Sequence, residues 1–304
     1  MNKAPLQQAA ADYIEQLRVE RRLAENTIAS YQRDLQDAIR YLQAEHADWQ
    51  EVDQTAILAF LDHLKKQGVA QETINRHIVS LRQLYKFLRQ MGRVEGDPLA
   101  QLTTTAAPAK PMPVLSADQA ASLLSIPNVK NRTGLRDRAI FELLYATGMR
   151  VNELLSLKMA DVDLNAQLVM PHDRAGRKRV VPISDVCSNW LKRYVSEARL
   201  ELMHDDTDVF FLNNRGQALT RQAIWQKLRA AGSQAGLDLD VTPDVLRATF
   251  AHEMLANGAD LRAVRVMLGH QSLSTTERYA PAADVHLAAQ YRQYHPQSAN
   301  GRNQ

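Results

Sequence analysis

After Met91 the chain carries Gly92, Gly96, Asp97-Pro98, three successive threonines, and then Pro108, Pro111 and Pro113. Proline has no amide to give a helix or a ladder, and it pushes the residue before it out of the helical region. Such a stretch predicts an extended connector. It restricts the chain to two separately packed bodies, residues 1–91 and 114–304, joined by a linker over 92–113. A chain of 304 residues is long enough for each body to bury its own core.

The first body reads as four helices. Apolar residues recur at three- and four-residue spacing at Tyr13 and Leu17, then Ile28, Tyr31, Leu35, Ile39 and Leu42, then Ile57, Phe60, Leu61 and Leu64, and last Ile74, Ile78, Leu81, Leu84, Phe87 and Leu88. Asn26-Thr27, Asp53 with Thr55, and Gln71-Glu72-Thr73 mark the starts of the second, third and fourth helices. Arg18, Arg21 and Arg22 are read as closing the first, a cluster that a solvated surface explains as well as a partner does.

In the second body Ser116 is placed to cap a helix running through Leu124, and residues 136–145 form a strongly apolar, buried helix. Gly148 ends that helix and Asn152-Glu153 opens the next. Arg150 therefore falls at a helix N-terminus, where backbone amides and the helix dipole favour an anion. Residues 167–171 and 179–183 alternate enough to be strands. The turn between them holds Asp173, Arg174, Ala175 and Gly176, with Arg177, Lys178 and Arg179 crowding it.

The segment TPDVLRATFAHEMLANGADLRAVRVMLGHQSLSTTERYA, residues 242–280, places Arg247, His270 and Tyr279 in one stretch. A guanidinium grips two phosphate oxygens with a planar fork, an imidazole exchanges a proton near neutrality, and a phenol relieved of its proton attacks phosphorus. Together they are the groups needed to form a covalent phosphotyrosine.

The phrases L-R-x-x-F-A, N-G-A-D and L-G-H-x-S-L-S-T-T-x-x-Y in this segment resemble the C-terminal signature of the tyrosine recombinases, or phage integrase family, most closely their Xer branch. AENTIASYQRDL and ETINRHIVSLRQLYKFL are similar to the family's helical N-terminal domain. The resemblance implies a mainly α fold with a small antiparallel sheet (α+β), in which the N-terminal domain clamps DNA opposite a catalytic domain. It implies that Tyr279 is the nucleophile on a double-stranded DNA recombination site. Arg150 and Arg247 then neutralise the transition state, His270 positions the phosphate and shuttles a proton, and Glu153 gives support. It also implies a homo- or hetero-tetramer on paired DNA, with residues 284–294 docking on a neighbouring subunit. No cofactor is implied, because the bond energy is kept in the phosphotyrosine link.

Two positions depart from the family pattern. The lysine that protonates the departing 5′ oxygen corresponds to Arg174, and a guanidinium gives up a proton less readily than an ammonium. Lys178 in the same turn is the alternative acid. The histidine usual three residues before the second arginine is Asp244, a carboxylate that can turn toward Arg247, stay protonated, or take the tyrosine's proton. These departures motivate an alternative, a catalytically weakened DNA-binding accessory protein; a type IB topoisomerase shares the tyrosine chemistry but not the N-terminal phrases.

Other chemistries are poorly supported. His252-Glu253 begins a zinc-protease motif, but Ala256 stands where its second histidine belongs, and neither a Walker loop nor a dinucleotide-binding loop occurs. The single cysteine, Cys187, has no second cysteine for a disulfide and no evident zinc partner. A net charge of +3 is too mild to indicate a partner. The absence of a long apolar run and of a signal peptide leads to the expectation of a cytoplasmic protein.

Overall fold

The computed structural model describes residues 5–20, 25–103, 112–173, 175–277 and 279. The chain divides into two compact units, residues 1–109 and 110–304.

The first unit contains α1 (Leu6–Glu20), α2 (Glu25–Leu42), α3 (Gln54–Lys66) and α4 (Gln71–Gln90). The expected apolar stripes face its core, with Leu17, Ile28, Leu35, Ile57, Phe60, Leu81 and Leu84 among the buried side chains. Asp53 caps α3 by accepting the Ala56 amide at 2.8 Å. One helix start differs from expectation: α2 already begins at Glu25, an acid suited to the positive end of the helix dipole, whereas α4 begins at Gln71 as expected, though with no side-chain cap at Ala70. Trp49 is fully buried; its indole donates to the Leu6 carbonyl at 3.0 Å while the Tyr85 hydroxyl donates to the Trp49 carbonyl at 3.0 Å.

The second unit is built on α6 (Arg132–Thr147), which follows α5 (Ala117–Ser125) and precedes the short α7 (Val151–Leu155). Ser116 and Gln119 form a reciprocal capping box on α5. Asn131 caps α6 at the Gly134 amide, and Gly148 stops it in the left-handed region at φ 57°. α6 is buried along most of its length, packing on α5, on α8 (Asp185–Arg193) with its π-helical continuation Tyr194–Arg199, and on α11 (Pro243–Ala256). Between α8 and α11 lie the final turn α9 (Leu200–Leu202) and α10 (Arg221–Gln234); α12 (Leu261–Leu268) and α13 (Ser274–Glu277) follow.

The sheet has three antiparallel strands in the order β1 (Val162–Asp163), β2 (Leu168–Val169) and β3 (Val181–Pro182), with Val169 opposite both Val162 and Val181. The two expected strands are present but shorter, since Pro171 breaks the first. Pro182 is tolerated because β3 is an edge. β1 was not expected, being too short to show an alternation. The fold is thus mainly α with a small antiparallel sheet. Cys187 is fully buried, which pushes its thiol pKa up and leaves it a packing residue. Among the described residues no helix is long and apolar enough to cross a membrane.

Candidate active site

The core of α11 determines where Arg247 points. Thr242 caps the helix at the Val245 amide, Pro243 occupies its first turn, and Val245, Leu246, Ala248, Thr249 and Phe250 are all buried. Arg247 is buried, with only 4% of its surface exposed. Its Nη1 donates to the Gly148 carbonyl at 2.6 Å, and its Nη2 to the Leu268 carbonyl at 2.7 Å and to His270 Nε2 at 2.6 Å. These bonds use three of the five N–H groups of a guanidinium. Among the described residues no carboxylate forms an ion pair with Arg247. Burial above all, and then the positive charge of Arg150, pull its pKa down to about 10, with Tyr279 and Glu153 opposing the shift.

Arg150 occupies the cap position of α7, as its sequence context indicates. Its side chain is 45% exposed and lies 3.4 Å from Glu153 Oε1. Its backbone amide donates to Glu153 Oε2 at 2.7 Å. Glu153 is buried, and burial alone would raise its pKa. Arg179 outweighs that: Nη1 donates to Oε1 and Nη2 to Oε2, each at 2.7 Å, and with the Arg150 amide and charge the carboxyl is held below its usual range. Arg179 Nε also donates to the Met267 carbonyl at 2.6 Å, near the end of α12.

Gly269 ends α12 in the left-handed region at φ 65°, and a Cβ there would stand 3.1 Å from Arg179 Nη1. His270 follows, its Nδ1 lying 2.8 Å from the Thr276 hydroxyl. Tyr279 is nearly buried, in a small apolar cluster with Phe250, Leu255, Val264 and Leu268. Its ring stacks on His270 with centroids 6.1 Å apart, its amide donates to the Thr276 carbonyl at 3.0 Å, and its carbonyl is 3.3 Å from His252 Nδ1.

Arg150, Glu153, Arg247, His270 and Tyr279 are therefore gathered in one cluster. Lys178 is directed elsewhere: it is exposed and sits 3.6 Å from Asp161, which also binds His172 at 2.7 Å. Asp244 is exposed on the first turn of α11 and forms no ion pair with Arg247, so that one of its three alternatives is not realised. Arg174 lies outside the described residues, as do residues 284–294. Among the described residues no group of three or more His, Cys, Asp or Glu is arranged to hold a metal ion.

Three participants escaped the sequence reading. Arg179 was counted only within a basic cluster, yet it lies two residues before the fully buried Val181, with the exposed Val180 between them. In extended chain that alternation turns Arg179 inward. Thr276 lies inside the L-G-H-x-S-L-S-T-T-x-x-Y phrase without being singled out by it, and the His252 ring carries no comparable signal.

Gly148 joins the fold to the site. A Cβ there would lie 2.6 Å from Phe250 Cδ1 and 2.9 Å from Leu268 Cδ2, in a left-handed backbone. Gly148→Ala is expected to lower stability by about 2–4 kcal/mol, combining backbone strain and overpacking. It should also weaken cleavage, because the Gly148 carbonyl orients Arg247. Urea unfolding measures the first effect, and an unchanged midpoint would refute it.

Residues 113–286 match the Phage integrase family model and residues 10–92 the model of the Phage integrase N-terminal SAM-like domain. The chain is 38% identical over 297 residues to a tyrosine recombinase XerD of Oceanobacillus iheyensis, covering 96% of this chain and all of that protein. In fold it is similar to a XerH site-specific recombinase bound to its difH substrate in a pre-cleavage complex, with a TM-score of 0.77, 19% identity, and coverage of 95% of this chain and 97% of that one. It is also similar to a lambda integrase tetramer bound to a Holliday junction, with a TM-score of 0.74, 17% identity, and coverage of 92% of this chain and 78% of that one. With the family model matched over more than half its length and a relative aligned from end to end, the chain belongs to the phage integrase family, the tyrosine recombinases.

Proposed function

We propose that the protein cuts and rejoins DNA strands at a specific site through a 3′-phosphotyrosine intermediate on Tyr279. The observation that carries this reading is Arg247: a buried cation without a carboxylate partner among the described residues, beside the like charge of Arg150 and beside a tyrosine. Such a charge is costly unless an anion meets it. A scissile phosphate would supply that anion, and both guanidiniums would bear the charge that develops on its oxygens.

In the proposed step Tyr279 Oη forms a bond to phosphorus while the bond from phosphorus to the 5′ oxygen breaks. The phenolic proton passes to Asp244, or to His270 Nε2 once Arg247 Nη2 turns from that nitrogen to the phosphate. The 5′ oxygen takes a proton from the β2–β3 hairpin, from Arg174 or from Lys178 once it leaves Asp161. Rejoining reverses these transfers and needs no cofactor. The helical unit at residues 1–91 would close on the duplex opposite the catalytic unit at 114–304, with 92–113 as the linker. The DNA-bound XerH and lambda integrase neighbours support a DNA recombination site as the substrate and a homo- or hetero-tetramer as the working assembly. The gathering of Arg150, Arg247, His270 and Tyr279 favours an active enzyme over a DNA-binding accessory protein.

A suicide substrate nicked beside the cleavage point tests this. The wild type should accumulate a covalent protein–DNA adduct, and Tyr279→Phe should bind the same DNA with none. An adduct of equal yield from Tyr279→Phe would mean that another residue is the nucleophile.

A further inference from the structure

Thr276 is fully buried on α13, carries no charge, and has no part in the chemistry above. Its two polar ends nevertheless meet two of the reacting groups. The hydroxyl lies 2.8 Å from His270 Nδ1, and the carbonyl accepts the Tyr279 amide at 3.0 Å.

The other ring nitrogen decides what the hydroxyl does. Arg247 Nη2 is 2.6 Å from His270 Nε2, and a guanidinium has no lone pair to offer, so Arg247 donates and Nε2 accepts. Nε2 therefore bears no hydrogen. A neutral imidazole carries its one hydrogen on the opposite nitrogen, so Nδ1–H donates to Thr276 Oγ1. An imidazolium would set one N–H against another at 2.6 Å. The ring as it stands is neutral, with its Nε2 lone pair accepting from Arg247.

We infer that Thr276 is a positioning residue: its hydroxyl accepts Nδ1–H and seats the His270 ring with Nε2 against Arg247, while its carbonyl ties that ring to the turn bearing Tyr279. The branched side chain suits the task, because a buried threonine has few rotamers and keeps its hydroxyl in place. The inference rests on the proposed function insofar as the seated ring takes part in cleavage. The tautomer itself does not depend on that reading.

Two variants of the full-length protein separate hydroxyl from shape: Thr276→Val keeps the volume and loses the donor–acceptor group, and Thr276→Ser keeps the hydroxyl. In protein labelled with ¹⁵N-histidine, the His270 resonances, assigned by their loss in His270→Gln, should report a protonated Nδ1 and a bare Nε2 in the wild type and in Thr276→Ser. Thr276→Val, with Arg247 still donating to Nε2, should keep that tautomer but lose the slowly exchanging Nδ1–H that the hydroxyl holds. On the nicked substrate Thr276→Val should form adduct about 10- to 100-fold more slowly with DNA affinity unchanged, a loss within the span of general-base catalysis, and Thr276→Ser should recover most of the rate. A wild-type ring protonated on Nε2 overturns the inference, even if Thr276→Val proves too unstable to study. So does a Thr276→Val protein that keeps both the held Nδ1–H and the wild-type rate. Failure of the wild type to form any adduct would instead overturn the functional reading, and the wild-type resonances would still decide the tautomer.

Discussion

Replacing Arg179 with alanine is expected to lower folding stability by about 3–5 kcal/mol and to remove detectable cleavage. Glu153 is buried and both of its oxygens accept from Arg179 at 2.7 Å, so the truncation leaves an uncompensated carboxylate in the interior. The loss also reaches the chemistry, because Glu153 holds the Arg150 amide and Arg179 holds the Met267 carbonyl just ahead of His270. Urea unfolding followed by tryptophan fluorescence gives the first effect and adduct formation the second. Replacing the pair together, Glu153→Leu with Arg179→Met, should recover much of the stability but not the cleavage.

The same pair makes a pH dependence. Glu153 has its folded pKa lowered, so its contribution to stability is fully present above its unfolded value near 4.5 and is lost as pH falls through the folded one. Below about pH 4.5 the wild type should therefore lose stability more steeply than Glu153→Gln. Parallel curves would show that the carboxyl titrates alike in both states.

Arg247→Met is expected to behave differently: a loss of cleavage of at least about 10³-fold with a stability change within about 2 kcal/mol. The pKa of Arg247 falls from 12.5 to about 10 on folding, which places roughly 3 kcal/mol of strain on the buried cation at neutral pH. Because this folded pKa is depressed, the strain is present below about 10 and fades as pH rises toward 12.5. Removing the cation relieves that strain and leaves the Gly148 and Leu268 carbonyls without their donor, two effects of similar size. The transition state loses a preorganised donor pair with nothing to offset it. A stability loss as large as that of Arg179→Ala would mean that Arg247 serves chiefly as a structural strut.

These contrasts show what the sequence could reveal. The two bodies, the four N-terminal helices, the caps at Asp53 and Ser116 and the stop at Gly148 follow from periodicity and from the chemistry of single residues, so they were legible. So was the sharing of one site by Arg150 and Arg247, because the phrases around them carried a family resemblance that periodicity alone could not supply. Arg179 was concealed by its neighbours: a run of basic residues reads as a solvated turn unless the strand alternation around Val181 is followed through it. Asp244 shows the converse. One residue type admitted three roles, and whether it pairs with Arg247 depends on how the first turn of α11 is packed, which lies outside the local sequence. β1 was missed because two residues have no period.

The central claim, that Tyr279 is the nucleophile of a single phosphate site, is tested most directly by locating the covalent bond. Full-length protein incubated with the nicked substrate is digested with nuclease and trypsin, and the nucleotide-bearing peptide is sequenced by mass spectrometry. Cleavage after Arg278 releases a peptide that begins at Tyr279 and also contains Tyr291, so fragment ions must separate the two. The expected result is a phosphonucleotide on Tyr279 alone; a nucleotide on Tyr291 or any other residue, or tight binding of the cognate site with no adduct, would contradict it.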